Sequence, residues 1–60
     1  MLSLIRDVRG FTVTASVYQD GDGVIVVIYR NNRSWEPVDR ISGATPEQIL
    51  RRLAELDGTD

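Results

Sequence analysis

The chain contains no cysteine, no histidine and no lysine. Each absence closes a class of function. Without cysteine there is no disulfide to staple a small fold and no thiol nucleophile. Without cysteine or histidine a structural zinc site lacks its usual ligands. Without histidine, cysteine or lysine the common general bases and activated nucleophiles are missing, which argues against an enzyme. Aromatics are scarce, one Trp, one Phe and two Tyr. Long apolar runs are absent too: the longest, Val24-Ile25-Val26-Val27-Ile28-Tyr29, falls far short of a membrane-spanning helix. Met1-Leu2-Ser3-Leu4-Ile5 is interrupted by Arg6 and Asp7, so no secretion signal is expected and the cytoplasm is the expected location. Asn32-Arg33-Ser34 matches a glycosylation sequon but, without such a signal, is read as a turn.

What is present is 60 residues with a net charge of −2. That length gives one domain, expected over 1–57, with 58–60 as a frayed tail. A chain this short buries only about 60% of its unfolded surface, so good local signals or self-association must contribute to stability. All positive charge is arginine, seven residues against six Asp and three Glu. Residues 1–44 are neutral, and the net −2 lies in 45–60. Mild acidity argues against a dedicated nucleic-acid binder, whose footprint is usually basic.

Strand signals come first. Residues 2–8 alternate in part, and Arg9-Gly10 reads as a turn. Phe11, Val13, Ala15 and Val17 then alternate with Thr12, Thr14, Ser16 and Tyr18. Asp20-Gly21-Asp22-Gly23 reads as a hairpin loop, residues 24–30 as a β-branched strand, and Asn31-Asn32 as a tight turn. Residues 34–41 suit a fourth strand, at an edge because Pro37 cannot donate to a ladder.

The helix signal is the strongest. Thr45 is the N-cap, Pro46 the first helical residue, and Gln48 completes a capping box. Ile49, Leu50, Leu53 and Leu56 form an apolar stripe expected in the core. Glu47–Arg51 and Arg51–Glu55 are i,i+4 pairs on the opposite side, and Asp57-Gly58 ends the helix. Arg51 and Arg52 are expected to be solvated. The fold class is therefore α+β, a three- to four-stranded antiparallel meander with one C-terminal helix across one face.

Turn lengths set the register. They pair Val17 with Val26, Ala15 with Ile28, Tyr18 with Ile25 and Thr14 with Tyr29, and place Leu4 beside Ala15 and Leu2 beside Val17. The helix-covered face is then expected to hold Leu2, Leu4, Val8, Phe11, Val13, Ala15, Val17, Val24, Val26 and Ile28. The other face carries Ile5, Thr12, Thr14, Ser16, Tyr18, Ile25, Val27 and Tyr29, with no second helix to cover it. Threonine and tyrosine suit an exposed strand surface, but Ile25 and Val27 make this face unusually apolar for solvent. Tyr18, Ile25, Val27 and Tyr29 are therefore the candidate partner-contact residues, with Arg33 and Trp35 at the neighbouring edge.

Other constellations are weaker. Asp20 and Asp22 resemble the start of a calcium loop, but no ligand follows at the required offsets, so no metal or cofactor is expected. Gly21 and Gly23 lie between strands and do not open a helix as a phosphate loop would. Arg30, Arg33, Trp35 and Arg40 could grip a phosphate backbone and stack a base. The plainer and preferred reading pairs these arginines with Glu36 and Asp39 and lays Trp35 over Ile28 as a cap on the core.

Residues 11–56 resemble the HicB-like antitoxin domain, a partial ribonuclease-H-like fold. The resemblance rests on Phe11-Thr12-Val13-Thr14-Ala15-Ser16-Val17, on Gln19-Asp20-Gly21-Asp22-Gly23-Val24, and on Ile41-Ser42-Gly43-Ala44-Thr45-Pro46-Glu47-Gln48-Ile49-Leu50. It implies dimerisation and inhibition of a protein partner. An extra strand before Phe11, and Asn31-Asn32-Arg33-Ser34-Trp35 where that family has a Pro and Gly loop, depart from the pattern. The DNA-binding segment of that family is not seen after the helix, so that role is not expected to carry over. The chain is also similar in outline to the arm-binding domain of some phage integrases, which are strongly basic where this chain is not.

The resulting expectation is a non-catalytic interaction module, a homodimer, that binds and inhibits or regulates a protein partner as an antitoxin or a small phage-type inhibitor does. The alternative is a small nucleic-acid-binding domain using the arginine and tryptophan patch.

Overall fold

The computed structural model describes residues 2–57; the tail expected at 58–60 lies outside the described residues. Four strands, β1 (Leu2–Arg9), β2 (Val13–Asp20), β3 (Gly23–Arg30) and β4 (Arg33–Ser42), precede one helix, α1 (Pro46–Asp57). The strands form one antiparallel sheet in the order β1-β2-β3-β4. This is the expected α+β meander, with the fourth strand present and at an edge.

The β2–β3 register is the expected one, with Val17 opposite Val26, Ala15 opposite Ile28, Tyr18 opposite Ile25 and Thr14 opposite Tyr29. The connection is tighter than a four-residue loop, because Asp20 already pairs with Gly23 and only Gly21 and Asp22 turn. Gly21 has φ 60°, a backbone angle that glycine adopts without steric cost.

One sheet face packs on the helix. Val13, Ala15, Val17, Val26 and Ile28 are buried against Ile49 and Leu53, with Val8, Val24, Ile41, Ala44 and Leu56 packed around them. The capping box closes reciprocally: the Gln48 N–H donates to Thr45 Oγ1 at 3.3 Å, and the Thr45 N–H donates to Gln48 Oε1 at 2.9 Å. Leu50 departs from the expected stripe. It is 60% exposed, because the helix contacts the sheet along the narrow line of Ile49 and Leu53.

The β1–β2 connection also departs from expectation. Val8 pairs with Ala15, Leu4 with Tyr18 and Leu2 with Asp20, with a register shift between Leu4 and Arg6. Two features cause this. The turn extends through Thr12, because the Asp57 carboxylate captures the Phe11 and Thr12 N–H groups at 3.0 and 2.7 Å and the Thr12 hydroxyl at 2.8 Å. The bulge then leaves Ile5 without a partner and reverses the facing of everything before it. Leu2 and Leu4 therefore share the face of Tyr18 and not the core. Phe11, expected in the core, precedes β2 and is 91% exposed.

Candidate functional site

In an antiparallel sheet, directly opposed residues share a face and successive residues alternate. The register therefore assembles the face away from α1 as cross-strand rows. Leu4, Tyr18, Ile25 and Ser42 form one row. Asp7, Ser16, Val27 and Arg40 form the next, and Arg9, Thr14, Tyr29 and Pro37 the third. The expected contact residues Tyr18, Ile25, Val27 and Tyr29 are thus brought together on one surface, each partly accessible. Leu2 and Leu4 extend the apolar end of this surface and are 49% and 57% exposed. Alternation along the sequence does not find them, because only the bulge puts them there.

The middle of the face is polar and internally bonded. Ser16 is buried and donates to Asp7 Oδ1 at 2.8 Å, with the Tyr29 hydroxyl at 3.4 Å. Thr14, also buried, donates to the Asn31 side-chain oxygen. These bonds satisfy hydroxyls that the large neighbours shield from water. Among the described residues, no buried side-chain nitrogen or oxygen lacks a partner.

The sheet edges are irregular. β1 carries the bulge at Ile5. In β4 the register breaks around Pro37, leaving Val38 unpaired on one side and Ser34, Trp35 and Glu36 on the other. Bulges and proline discourage another strand from adding to an edge. Trp35 lies in this excursion and is 74% exposed. The expectation that it covers Ile28 is therefore wrong: the pairs Arg30–Arg33 and Tyr29–Pro37 force the intervening residues out of the ladder.

The arginines separate. Arg33 pairs with Glu36 at 3.9 Å, as expected, with both groups exposed. Asp39 pairs not with a β4 or turn arginine but with Arg52 of α1, at 2.6 Å. Arg52 is thus held and not simply solvated, and it also lies 3.6 Å from Glu55. The Arg52 hydrogen bond holds the Asp39 carboxyl below its ordinary pKa. Among the described residues, neither expected i,i+4 pair of the helix forms within salt-bridge distance. Arg40 shares its row with Val27 on the uncovered face, whereas Arg30 follows the parity of Ile28 toward the helix side. The four-residue patch Arg30, Arg33, Trp35 and Arg40 is therefore not one surface.

At one end of the sheet, Arg30 and Arg33 instead line an open groove of about 590 Å³ with Phe11, Thr12, Asn31, Asn32 and Asp57. Its floor is ordered by the Asp57 bonds and by the Asn31 N–H donating to the Thr12 carbonyl at 3.0 Å. The backbone N–H groups of Thr12 and Phe11 hold the Asp57 carboxyl below its ordinary pKa, so it stays anionic. Among the described residues, no cluster of three or more acidic side chains could hold a metal ion, and no helix is long and apolar enough to cross a membrane.

No protein-family model, curated protein or solved structure matches the chain.

Proposed function

We propose that this chain is a non-catalytic protein-interaction module that acts in the cytoplasm and inhibits or regulates a protein through the sheet face opposite α1. The observation that carries this reading is the continuity of Leu4, Tyr18, Ile25, Val27 and Tyr29 on a face that no second layer covers among the described residues, between edges unsuited to strand addition. An antitoxin-like subunit and a small phage-type inhibitor are two forms of such a module. Either needs an accessible apolar surface and no reactive side chain, and the chain supplies no histidine, cysteine or lysine.

The test is Val27→Glu. Val27 sits mid-face and partly accessible, so a carboxylate there keeps the core intact and places charge in the contact. The expected result is an unchanged far-ultraviolet circular dichroism spectrum with loss of self-association or of target binding. Unchanged mass and unchanged binding would show that the face is idle.

The groove at the other end supports a second reading, nucleic-acid binding. An exposed Phe11 stands there beside Arg30 and Arg33, a combination that can stack a base and hold a phosphate. It predicts binding that weakens steeply with salt. End-labelled DNA and RNA whose fluorescence anisotropy is indifferent to added protein at low salt would remove it.

A further inference from the structure

We infer that the partner on the uncovered face is a second copy of this chain, docked about a two-fold axis that runs parallel to the strands between β2 and β3 and sets Asp7 of each copy over Arg40 of the other. The inference rests on the interaction reading above and names its occupant.

The uncovered face is self-complementary. A two-fold axis in the plane between two stacked sheets, parallel to the strands, reverses strand order but keeps each row at its own level. β1 then lies over β4 of the other copy, and β2 over β3. In the middle row, Asp7 occupies the β1 end and Arg40 the β4 end. The axis therefore brings opposite charges together twice, as an isologous contact requires. In the row above, it places Tyr18 over Ile25 twice, aromatic on aliphatic. In the middle of the charged row, it places Ser16 over Val27. An axis perpendicular to the strands and passing through that row would set Asp7 toward Asp7 and Arg40 toward Arg40, and is disfavoured by like charge.

Both charged groups are available for this role. Asp7 accepts only the Ser16 hydroxyl among the hydrogen bonds of the described residues, and the Arg40 guanidinium makes no ion pair among them. The electrostatics across the contact are balanced as well. Asp7 and Asp20 on this face offset Arg9 and Arg40. Among the described residues the acidic excess lies in α1, where Glu47, Glu55 and Asp57 stand against Arg51 and Arg52, and α1 packs on the other side of the sheet. Two copies can approach face to face without bringing their helices together.

The area is sufficient. Four strands spaced about 4.8 Å apart, each of at least eight residues rising about 3.3 Å, give a face of roughly 500 Å² and a buried total near 1,000 Å². That reaches the lower bound for a specific interface and supplies a second layer on the face away from α1. Stacked sheets of this kind pack about 10 Å apart with strands within about 30° of alignment, which displaces the rows of β1 and β4, about 7 Å from the axis, by at most about 4 Å, a shift that the long Arg40 side chain spans.

The test is sedimentation equilibrium on the wild type, Asp7→Arg, Arg40→Asp, and an equimolar mixture of the two variants. The wild type is expected at twice the chain mass of 6.7 kDa. Each variant alone places like charges at both symmetric contacts and is expected to weaken the dimer about tenfold or more. In the mixture the two reversed charges face each other across one contact, and the unaltered Asp7 and Arg40 face each other across the other. Both pairs are again of opposite sign, so the mixture is expected to dimerise near wild-type strength. Rescue in the mixture also shows that both variants fold. A wild type that stays at 6.7 kDa at millimolar concentration overturns the second copy. A dimer indifferent to both reversals, or one that the mixture does not rescue, overturns the axis. The interaction reading fails separately, on an unchanged Val27→Glu.

Discussion

Asp57, in the last turn of α1, receives the backbone N–H of Thr12 at 2.7 Å and the same residue's hydroxyl at 2.8 Å. One carboxylate thus ties the end of the helix to the turn between β1 and β2, and shapes the groove beside Phe11. Hydrogen bonds from neutral donors to a charged acceptor are among the stronger ones available to a small domain.

This tie predicts an acid limb in the stability profile. The native pKa of Asp57 is lowered, chiefly by the Thr12 and Phe11 N–H groups, so the native state binds its proton less readily than the unfolded chain. The stabilisation is therefore fully present above the ordinary carboxylate value and is lost as pH falls through the lowered native one. Asp39, lowered chiefly by its hydrogen bond from Arg52, contributes with the same sign. Urea midpoints measured from pH 6 down to pH 2 should fall on the acid side for the wild type and fall less for Asp57→Asn, which starts from a lower plateau. Parallel profiles for the two proteins would show that Asp57 does not carry the limb.

Gly10 should not tolerate a side chain. An added Cβ would lie 2.7 Å from Asp57 Oδ2 and 2.9 Å from the Val13 carbonyl oxygen, which the Gly10 N–H itself approaches at 2.7 Å. Gly10→Ala is expected to cost about 1–3 kcal/mol through this crowding. Gly23 is the contrast, with its nearest neighbour 3.7 Å away. Gly23→Ala should be neutral or stabilise by up to about 1 kcal/mol through the unfolded state. Chemical denaturation of both variants decides the matter, and equal effects would contradict it.

The capping box supplies a third measurement. Thr45→Ala should cost about 1 kcal/mol. In a domain of this size that corresponds to a fall in Tm of about 4–8 °C. Because Thr45 and Gln48 bond reciprocally, Gln48→Ala added to Thr45→Ala should cost less than it does alone. Strict additivity would mean that the two bonds act independently.

The exposed aromatics should be dispensable for folding. Phe11→Ser and Trp35→Ser are expected within about 0.5 kcal/mol of wild type, whereas Ile28→Val, which removes one methyl from a fully buried site, should cost about 0.5–1.5 kcal/mol. A large loss on Trp35→Ser would restore the view of that residue as a cap on the core.

These residues also mark where local signals suffice and where they do not. Asp20-Gly21-Asp22-Gly23 defines its turn by its own backbone preferences, and with it the pairing of Val17 with Val26 and the shared face of Tyr18, Ile25, Val27 and Tyr29. Thr45 and Gln48 likewise carry the helix start within four residues of chain. The β1–β2 turn obeys no such local rule. Its length is decided by Asp57, 45 residues later, so alternation through Phe11 leads to the wrong register. The bulge at Ile5 has no signature in residue type, and it moves Leu2 and Leu4 from the expected core to the candidate interface. Trp35 departs from its expected place for a related reason: β4 spends three residues, Ser34 to Glu36, outside the ladder before Pro37 rejoins it.

The strand order β1-β2-β3-β4 has a kinetic consequence. Every strand neighbour is also a chain neighbour, so each pairing closes a short loop at small entropic cost, and the sheet should assemble quickly by successive hairpins. The Asp57–Thr12 tie is different, because it joins residues 45 apart in sequence. Its bonds should form after the rate-limiting step. Removing the carboxylate would then speed unfolding and leave the folding rate almost untouched, so that α1 behaves as a latch on a sheet already made.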